Sequence, residues 1–273
     1  MAFKRKYRSA SSDSAGFTLV ELVVSMMIVA LMLGGIMTIE NQRFRVAQRD
    51  ELARKFDAIG AALYNYRLRN NKLPCPGDAS KARTSSQFGL AADAAEGACN
   101  AGATYSSNIN NSDNTVFGGN VPVRSLGLPD DMAYDPWGNA FTYYVAKKAN
   151  ISTNLTGEYG TFGVADDGKL EVQDEYGNTL SDNIFVVVLS HGPNGHGAYN
   201  VAGVRVNAGS TNTAELENCQ CTAAAVASPD AAVLNIRMQR TLPTSSTDFT
   251  KNFDDTGRFY NLAYFYTYTE KGK

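Results

Sequence analysis

The sequence predicts an α+β protein in which one long N-terminal helix packs on an antiparallel β-sheet. An apolar run covers residues 17–39, and a charged amphipathic helical pattern covers residues 40–73. From residue 121 onwards, short aromatic and β-branched segments alternate with turn signals, as in a sheet. An amphipathic helix needs a partner for its apolar stripe, so we expect the sheet to cover it.

Residues 1–16 form a short basic leader, and the apolar run behind it contains one ionisable side chain, Glu21. The run from Phe17 to Ile39 is 23 residues long, and about 20 apolar residues suffice to span a bilayer. Lys and Arg remain in the cytoplasm, so we expect the N-terminus inside and the chain beyond residue 40 outside. An acid within such a span costs about 2.5–3.5 kcal/mol, which makes Glu21 a functional candidate.

The stretch G-F-T-L-V-E-L, which begins at Gly16, resembles the processing site of type IV pilins and type II secretion pseudopilins. The resemblance implies that a prepilin peptidase cuts after Gly16 and that Phe17, the new N-terminal residue, is N-methylated. It also makes Glu21 the acidic fifth residue of the mature chain.

The charge at Glu21 suits such an assembly. In a filament, the cationic amine of one subunit would lie in a low dielectric beside Glu21 of a neighbour, and a buried pair is favourable only with both members present. Glu21 would then set the register between subunits. The alternative is an ordinary membrane anchor that tolerates an acid near the interface.

A second, independent stretch supports the same family. Asp135-Pro136-Trp137-Gly138-Asn139, followed by the aromatic strand 140–145, resembles the D-P-W-G-N-P-Y stretch of major pseudopilins, with Ala140 in place of proline. The resemblance implies a pilin-like spine with a globular head. We expect Trp137, the only tryptophan of the chain, to fill the interface between helix and sheet.

The spine is expected to end near residue 71, because L-P-C-P-G follows and proline cannot continue a helix. A free coiled-coil stalk over residues 40–71 is the alternative. Residues 74–120 lack a hydrophobic period and predict a long irregular connection, which in pilin-like proteins is the variable, partner-facing region. Residues 121–273 form the predicted sheet head. The positions on one face of the spine recur every three or four residues and are apolar except at Gln48: Phe44, Gln48, Leu52, Phe56, Ile59, Leu63 and Tyr66.

Further strands are predicted in the head. Residues 159–164 and 170–172 flank D-D-G, a hairpin signal. Residues 183–190, N-I-F-V-V-V-L-S, are the most apolar segment and predict a central strand with both faces covered. Residues 234–237 and 261–268 are the last strand candidates.

Four cysteines in an exported domain suggest disulfides, and four allow three connectivities. Cys75–Cys99 closes a local loop and is the preferred pair, which leaves Cys219–Cys221 as a tight C-x-C bridge. The alternative is that Cys219 and Cys221 each cross to the earlier pair. The cysteine and histidine spacings match no common zinc pattern.

No residue set predicts an enzyme. Ser190 and His191 adjoin, but neighbours along a strand point to opposite faces, so we expect no Ser–His dyad. His191 and His196 lie in a Gly-rich turn that lacks the phosphate-loop residues. We expect no cofactor; the acidic pair Asp254 and Asp255 is the nearest candidate for the calcium loop that some major pseudopilins carry.

The sequence therefore predicts a structural subunit of a type IV pilus-like filament, a pseudopilin-type or minor pilin-like protein of the bacterial inner membrane with its head in the periplasm. The expected partners are other pilin-like subunits, the prepilin peptidase, the inner-membrane assembly platform and, before assembly, membrane lipid. The net charge of −2 does not suggest nucleic-acid binding. The alternatives are a membrane-anchored tip adhesin or substrate-binding module, or a bitopic enzyme.

Overall fold

The computed structural model describes residues 18–95, 98–99, 116–150, 169–206, 212–219, 233–238, 253, 255–261 and 264–265. The chain divides into two compact units, Met1–Ala47 and Gln48–Lys273. Helix α1, Leu19–Asn70, contributes to both units.

In the first unit, α1 presents its apolar side chains to the outside. Leu19 is 80% exposed, and the other large apolar side chains as far as Met32 are about half exposed or more. Among the residues that the structure describes, no helix has the length and apolar character that a membrane crossing requires. The span over residues 17–39 stays a prediction.

In the second unit, α1 buries one stripe, formed by Leu52, Phe56, Ile59 and Leu63. Their spacing of four, three and four residues puts them on one helical face, which confirms the predicted amphipathic pattern from Leu52 to Leu63. Phe44, the first residue of the predicted stripe, is 65% exposed, so the stripe begins later than predicted. The helix ends at Asn70 because Asn71 adopts a left-handed conformation with φ 54° and its N–H bonds to the Arg67 carbonyl at 2.7 Å. This end lies one residue from the predicted position.

The sheet of the second unit is mixed, although antiparallel pairs dominate it. The strands are β1 Asp93–Ala95 and β2 Ala98–Cys99, which form a separate ribbon, then β3 Val116–Asn120, β4 Thr142–Ala146, β5 Lys169–Asp174, β6 Thr179–Ser190, β7 Val233–Met238 and β8 Thr256–Asn261. The sheet contains the last six of these in the order β3-β4-β6-β5-β7, with β8 paired to β6. The pair β5–β7 is parallel, which corrects the prediction of an antiparallel sheet.

Strand β6 is buried on both faces, as predicted. Val186 and Val188 belong to the core cluster that contains the buried stripe of α1. Val187 and Leu189 point to the other face and belong to a second cluster with Leu170 and Ile236. A short helix, α2 (Thr213–Cys219), lies beside β7.

Two strand predictions were wrong. Strands β1, β2 and β3 all lie within residues 74–120, where an irregular connection was expected. The glycines and asparagine of V-F-G-G-N concealed β3, whose pairing with β4 depends on residues distant in sequence. The last strand is Thr256–Asn261 rather than 261–268, since Tyr264 and Phe265 are helical and Phe265 accepts a hydrogen bond from Arg67 of α1 at 2.8 Å.

Cys75 and Cys99 form a disulfide with their Cα atoms 5.7 Å apart, which confirms the preferred pair. The bridge joins the segment directly after α1 to strand β2. Cys219 at the end of α2 is also disulfide-bonded, and Cys221 lies outside the described residues. The connectivities that crossed Cys219 or Cys221 to the earlier pair are therefore wrong.

We expect Leu63→Ala to lower the free energy of unfolding by about 2–5 kcal/mol, because Leu63 is fully buried between α1 and the sheet. The matched control is Leu68→Ala, since Leu68 lies on the same helix but is 48% exposed. That change should cost less than about 0.5 kcal/mol. Urea unfolding followed through Trp137 fluorescence measures both, and equal costs would contradict the packing described.

Candidate functional site

The N-terminal turn of α1 holds the acid that the sequence singled out. The N–H of Glu21 donates to Thr18 Oγ1 at 3.3 Å, so Thr18 caps the helix. The hydroxyl of Ser25 donates to the Glu21 carbonyl at 2.7 Å. The Glu21 side chain is exposed, and a negative charge in the first turn is favourable at the positive end of the helix dipole. Gly16 and Phe17 lie outside the described residues.

Around Glu21, the helix surface is almost entirely apolar. A helix that is apolar on every side is stable in water only when something else covers it, whether lipid or other helices. Glu21 is the only ionisable side chain among the described residues from 18 to 32. The large exposed apolar side chains are Leu19, Val20, Leu22, Val23, Val24, Met26, Met27, Ile28, Val29, Leu31 and Met32.

A second polar site lies in the head, at the carboxyl end of β6. Ser190 and His191 are consecutive and both fully buried, yet they bond on different sides. The Ser190 hydroxyl donates to Asp135 Oδ2 at 2.7 Å, whereas His191 Nε2 lies 2.7 Å from Thr142 Oγ1. Ser190 and His191 therefore point to different sides of β6, as the alternation of side chains along a strand predicts.

Asp135 organises the D-P-W-G-N turn. Its Oδ1 accepts the N–H groups of Trp137 and Asn139 at 3.0 and 2.9 Å, and its Oδ2 accepts from Ser190. Gly138 has φ +88°, a conformation that favours glycine. The Asn139 amide donates to the Gly192 carbonyl at 2.8 Å, so the motif is held against the Gly-rich turn.

Trp137 is half-buried and packs against the core cluster that contains the α1 stripe. The motif therefore also borders the helix side of the sheet. Lys55 of α1 strengthens this border because its ammonium donates to the Tyr134 carbonyl at 2.9 Å. The sequence indicated the turn, but not that Asp135, Ser190 and Lys55 secure it.

His191 belongs to a buried network on the other face. Its Nδ1 lies 3.7 Å from Asp255 Oδ2, which in turn accepts a hydrogen bond from Asn218 Nδ2 at 2.7 Å. All four groups, including Thr142, are fully buried. Burial, with a smaller contribution from the Arg205 charge, lowers the pKa of His191 to about 3, so the imidazole is neutral at neutral pH.

Thr142 is the residue whose position in the sequence indicates this network. Thr142 is the only non-aromatic polar residue in the stretch A-F-T-Y-Y-V. A polar residue at a core position needs a buried partner. Which partner it finds depends on residues 49 or more positions away, so the pattern alone did not reveal His191 or Asp255.

The second histidine is engaged as well. His196 Nε2 lies 3.6 Å from Glu215 Oε2, and Glu215 Oε1 accepts a hydrogen bond from Asn194 at 2.7 Å. No group of three or more His, Cys, Asp and Glu residues suited to a metal occurs within the described ranges. Of the acidic pair considered for calcium, Asp255 is buried in the His191 network and Asp254 lies outside the described residues.

Residues 11–37 match the family model described as the prokaryotic N-terminal methylation motif. The chain carries the type IV pilin and pseudopilin signature. The signature includes Gly16, Phe17 and Glu21, and it points to a structural protein rather than an enzyme. Neither the curated proteins nor the solved structures contain a significant match to the chain.

The two buried titrating groups beside β6 have opposite effects on stability. Burial raises the pKa of Asp135 to about 6, so between about pH 4 and 6 the folded chain holds a proton that the unfolded chain has lost. The contribution of Asp135 to the free energy of unfolding therefore falls as pH rises. His191 has a lowered pKa, so the unfolded chain holds the extra proton between about pH 3 and 6.5, and its contribution rises with pH.

We therefore expect Asp135→Asn to steepen the loss of stability on acidification from pH 6.5 to 4, because only the His191 effect remains. An Asn side chain still accepts the two turn N–H groups, and it removes a charge whose burial costs about 3 kcal/mol near pH 7. Urea midpoints at several pH values test this, with exposed Asp131→Asn as the charge-matched control. Parallel pH profiles for Asp135→Asn and the wild type would refute the assignment.

Proposed function

We propose that the protein is a structural subunit of a type IV pilus-like filament, most closely a pseudopilin-type or minor pilin-like subunit of a secretion system. The observation that carries the proposal is the pilin signature over residues 11–37, continuous with an exposed apolar helix surface that has a single acid. Such a surface needs a partner, and the signature indicates which partner it meets.

In this proposal, the prepilin peptidase removes residues 1–16 and Phe17 becomes the methylated N-terminus. The apolar segment of α1 first lies in the inner membrane as a single span, with the head in the periplasm. An assembly platform then moves it from lipid into a bundle of pilin-like helices. Each large apolar side chain that would otherwise face water contributes about 1.5–3 kcal/mol when covered, so the segment is stable in lipid or in a filament.

Glu21 gives the assembly its register. Within the bundle, the carboxylate pairs with the N-terminal amine of a neighbouring subunit, since either charge alone would be costly in a low dielectric. The presence of this acid supports a place within the filament rather than at its tip. The D-P-W-G-N turn, anchored by Asp135 to Ser190, supports the secretion-type branch of the family.

A structural role also agrees with the polar groups of the head. Thr142, His191 and Asp255 are fully buried, so a substrate from solution does not reach them in the structure. The exposed acid, Glu21, has no histidine or cysteine among the described residues of its unit. Assembly, rather than turnover, is the activity that these placements favour.

We expect the protein from native membranes to begin at N-methylated Phe17. Gly16→Leu should block the cut and leave a chain that still begins near Met1, whereas the neighbouring control Ala15→Ser should be processed. Intact mass and N-terminal sequencing distinguish the products. A wild-type chain that retains residues 1–16 would contradict the proposal and favour an ordinary anchor.

We expect Glu21→Ala to be processed normally but to be lost from filaments, because removal of one partner of a buried pair costs about 3–5 kcal/mol. The control is Asp50→Ala, which removes an exposed acid from the same helix. The ratio of protein in the sheared filament fraction to protein in the membrane measures assembly. Wild-type ratios for Glu21→Ala would reject the register role.

A further inference from the structure

Asn120 and Thr142 lie directly opposite each other on the antiparallel strands β3 and β4. The backbone N–H and C=O of Asn120 both bond to Gly77, at 2.9 and 2.8 Å, and thus point away from β4. Asn120 and Thr142 therefore form a non-hydrogen-bonded pair, the type in which opposing side chains approach most closely. Their Cβ atoms are expected about 4.5–5.5 Å apart, which puts the threonine hydroxyl and the asparagine carboxamide on the same face of the sheet.

The asparagine side chain is buried without the partner that such a group requires. Asn120 is 4% exposed, and its Oδ1 has no hydrogen-bond partner in the described part of the chain. More than nine in ten buried polar groups in proteins are paired, so an unpaired one needs a specific explanation. The residue directly opposite on the same face is Thr142.

The hydroxyl is arranged as a nucleophile. Thr142 Oγ1 lies 2.7 Å from His191 Nε2, and His191 is neutral. Asp255 Oδ2 lies 3.7 Å from His191 Nδ1, which is too far for a hydrogen bond, and Nδ1 has no hydrogen-bond partner among the described residues. A carboxylate at this distance still favours, through its charge, the tautomer with the proton on Nδ1. Nε2 then carries the lone pair that accepts the hydroxyl proton, so a hydroxyl, a base and a carboxylate follow one another.

We propose that Thr142 forms an intramolecular ester cross-link with the side chain of residue 120. Thr142 Oγ1 attacks Asn120 Cγ while His191 Nε2 takes the hydroxyl proton. The tetrahedral intermediate collapses, the Cγ–Nδ2 bond breaks, and His191 returns the proton to the leaving nitrogen. One hydroxyl and one carboxamide become one ester and one ammonia molecule, and no other reactant is needed.

The burial of these groups favours a reaction within the protein over a reaction with a substrate from solution. Thr142, His191 and Asp255 are all fully buried, so water and foreign substrates are kept from the nucleophile. Ammonia dilutes into the solvent once it leaves, which favours the ester. The product would join β3 to β4 covalently at the end of the sheet. The cross-link requires only the folded head, so it does not depend on filament assembly.

Trypsin provides a direct test, because Arg124 lies between the two residues. After reduction and digestion of the full-length chain in detergent at neutral pH, peptides 84–124 and 125–147 should remain joined, with a mass lower than their sum by one ammonia. Hydroxylamine should separate them and leave a hydroxamate on residue 120, which identifies an ester. Tandem mass spectrometry locates the bond.

Three variants define the chemistry. Thr142→Val keeps the β-branched shape without the hydroxyl and should give separate peptides, whereas Thr142→Ser should still cross-link. His191→Gln should slow the reaction by about 10²–10⁴-fold as the base is lost. Separate wild-type peptides with intact Asn120, or with aspartate at that position, would overturn the proposal. Because this measurement uses the wild-type protein, it does not depend on whether any variant folds.

Discussion

Burial on both faces of β6 removes water from the polar side chains at its carboxyl end, so their hydrogen bonds must come from inside the protein. Ser190 turns to one face and bonds to Asp135, and His191 turns to the other and bonds to Thr142. An unpaired group here would cost about 1–3 kcal/mol. These bonds therefore hold the D-P-W-G-N turn on one side of the sheet and the α2 network on the other.

The two parts of helix α1 differ in the distribution of their apolar side chains. In the first unit, apolar side chains surround α1 and remain exposed, whereas in the second unit only one stripe is apolar and the sheet covers it. A helix segment that is apolar on all sides needs lipid or other helices to cover it. A segment with a single apolar stripe is already covered by the sheet of its own chain. Gly60 shows how close the second contact is, since a Cβ there would lie 2.6 Å from Tyr260 Oη.

Sequence patterns predicted the features that depend on local spacing. The end of α1, the buried strand within 183–190 and the D-P-W-G-N turn follow from helix period, apolar run and turn residues. Strand β3 and the parallel β5–β7 pair were missed because their partners are far away along the chain. The head network was missed for the same reason: Thr142 signals a buried polar group, but its contact with His191 depends on the register of β4 and β6.

The segment after α1 is joined to the sheet by short, strong connections. The Tyr143 hydroxyl donates to the Pro74 carbonyl at 3.0 Å, Cys75 is bonded to Cys99, and Gly77 exchanges two backbone hydrogen bonds with Asn120. These connections lie just beyond the end of α1, so they add to the contacts that the helix stripe makes with the sheet and fix residues 74–77 to β3 and β4. A covalent bond between Asn120 and Thr142 would extend this series of connections into the sheet itself, because Asn120 is the residue that pairs with both Gly77 and Thr142.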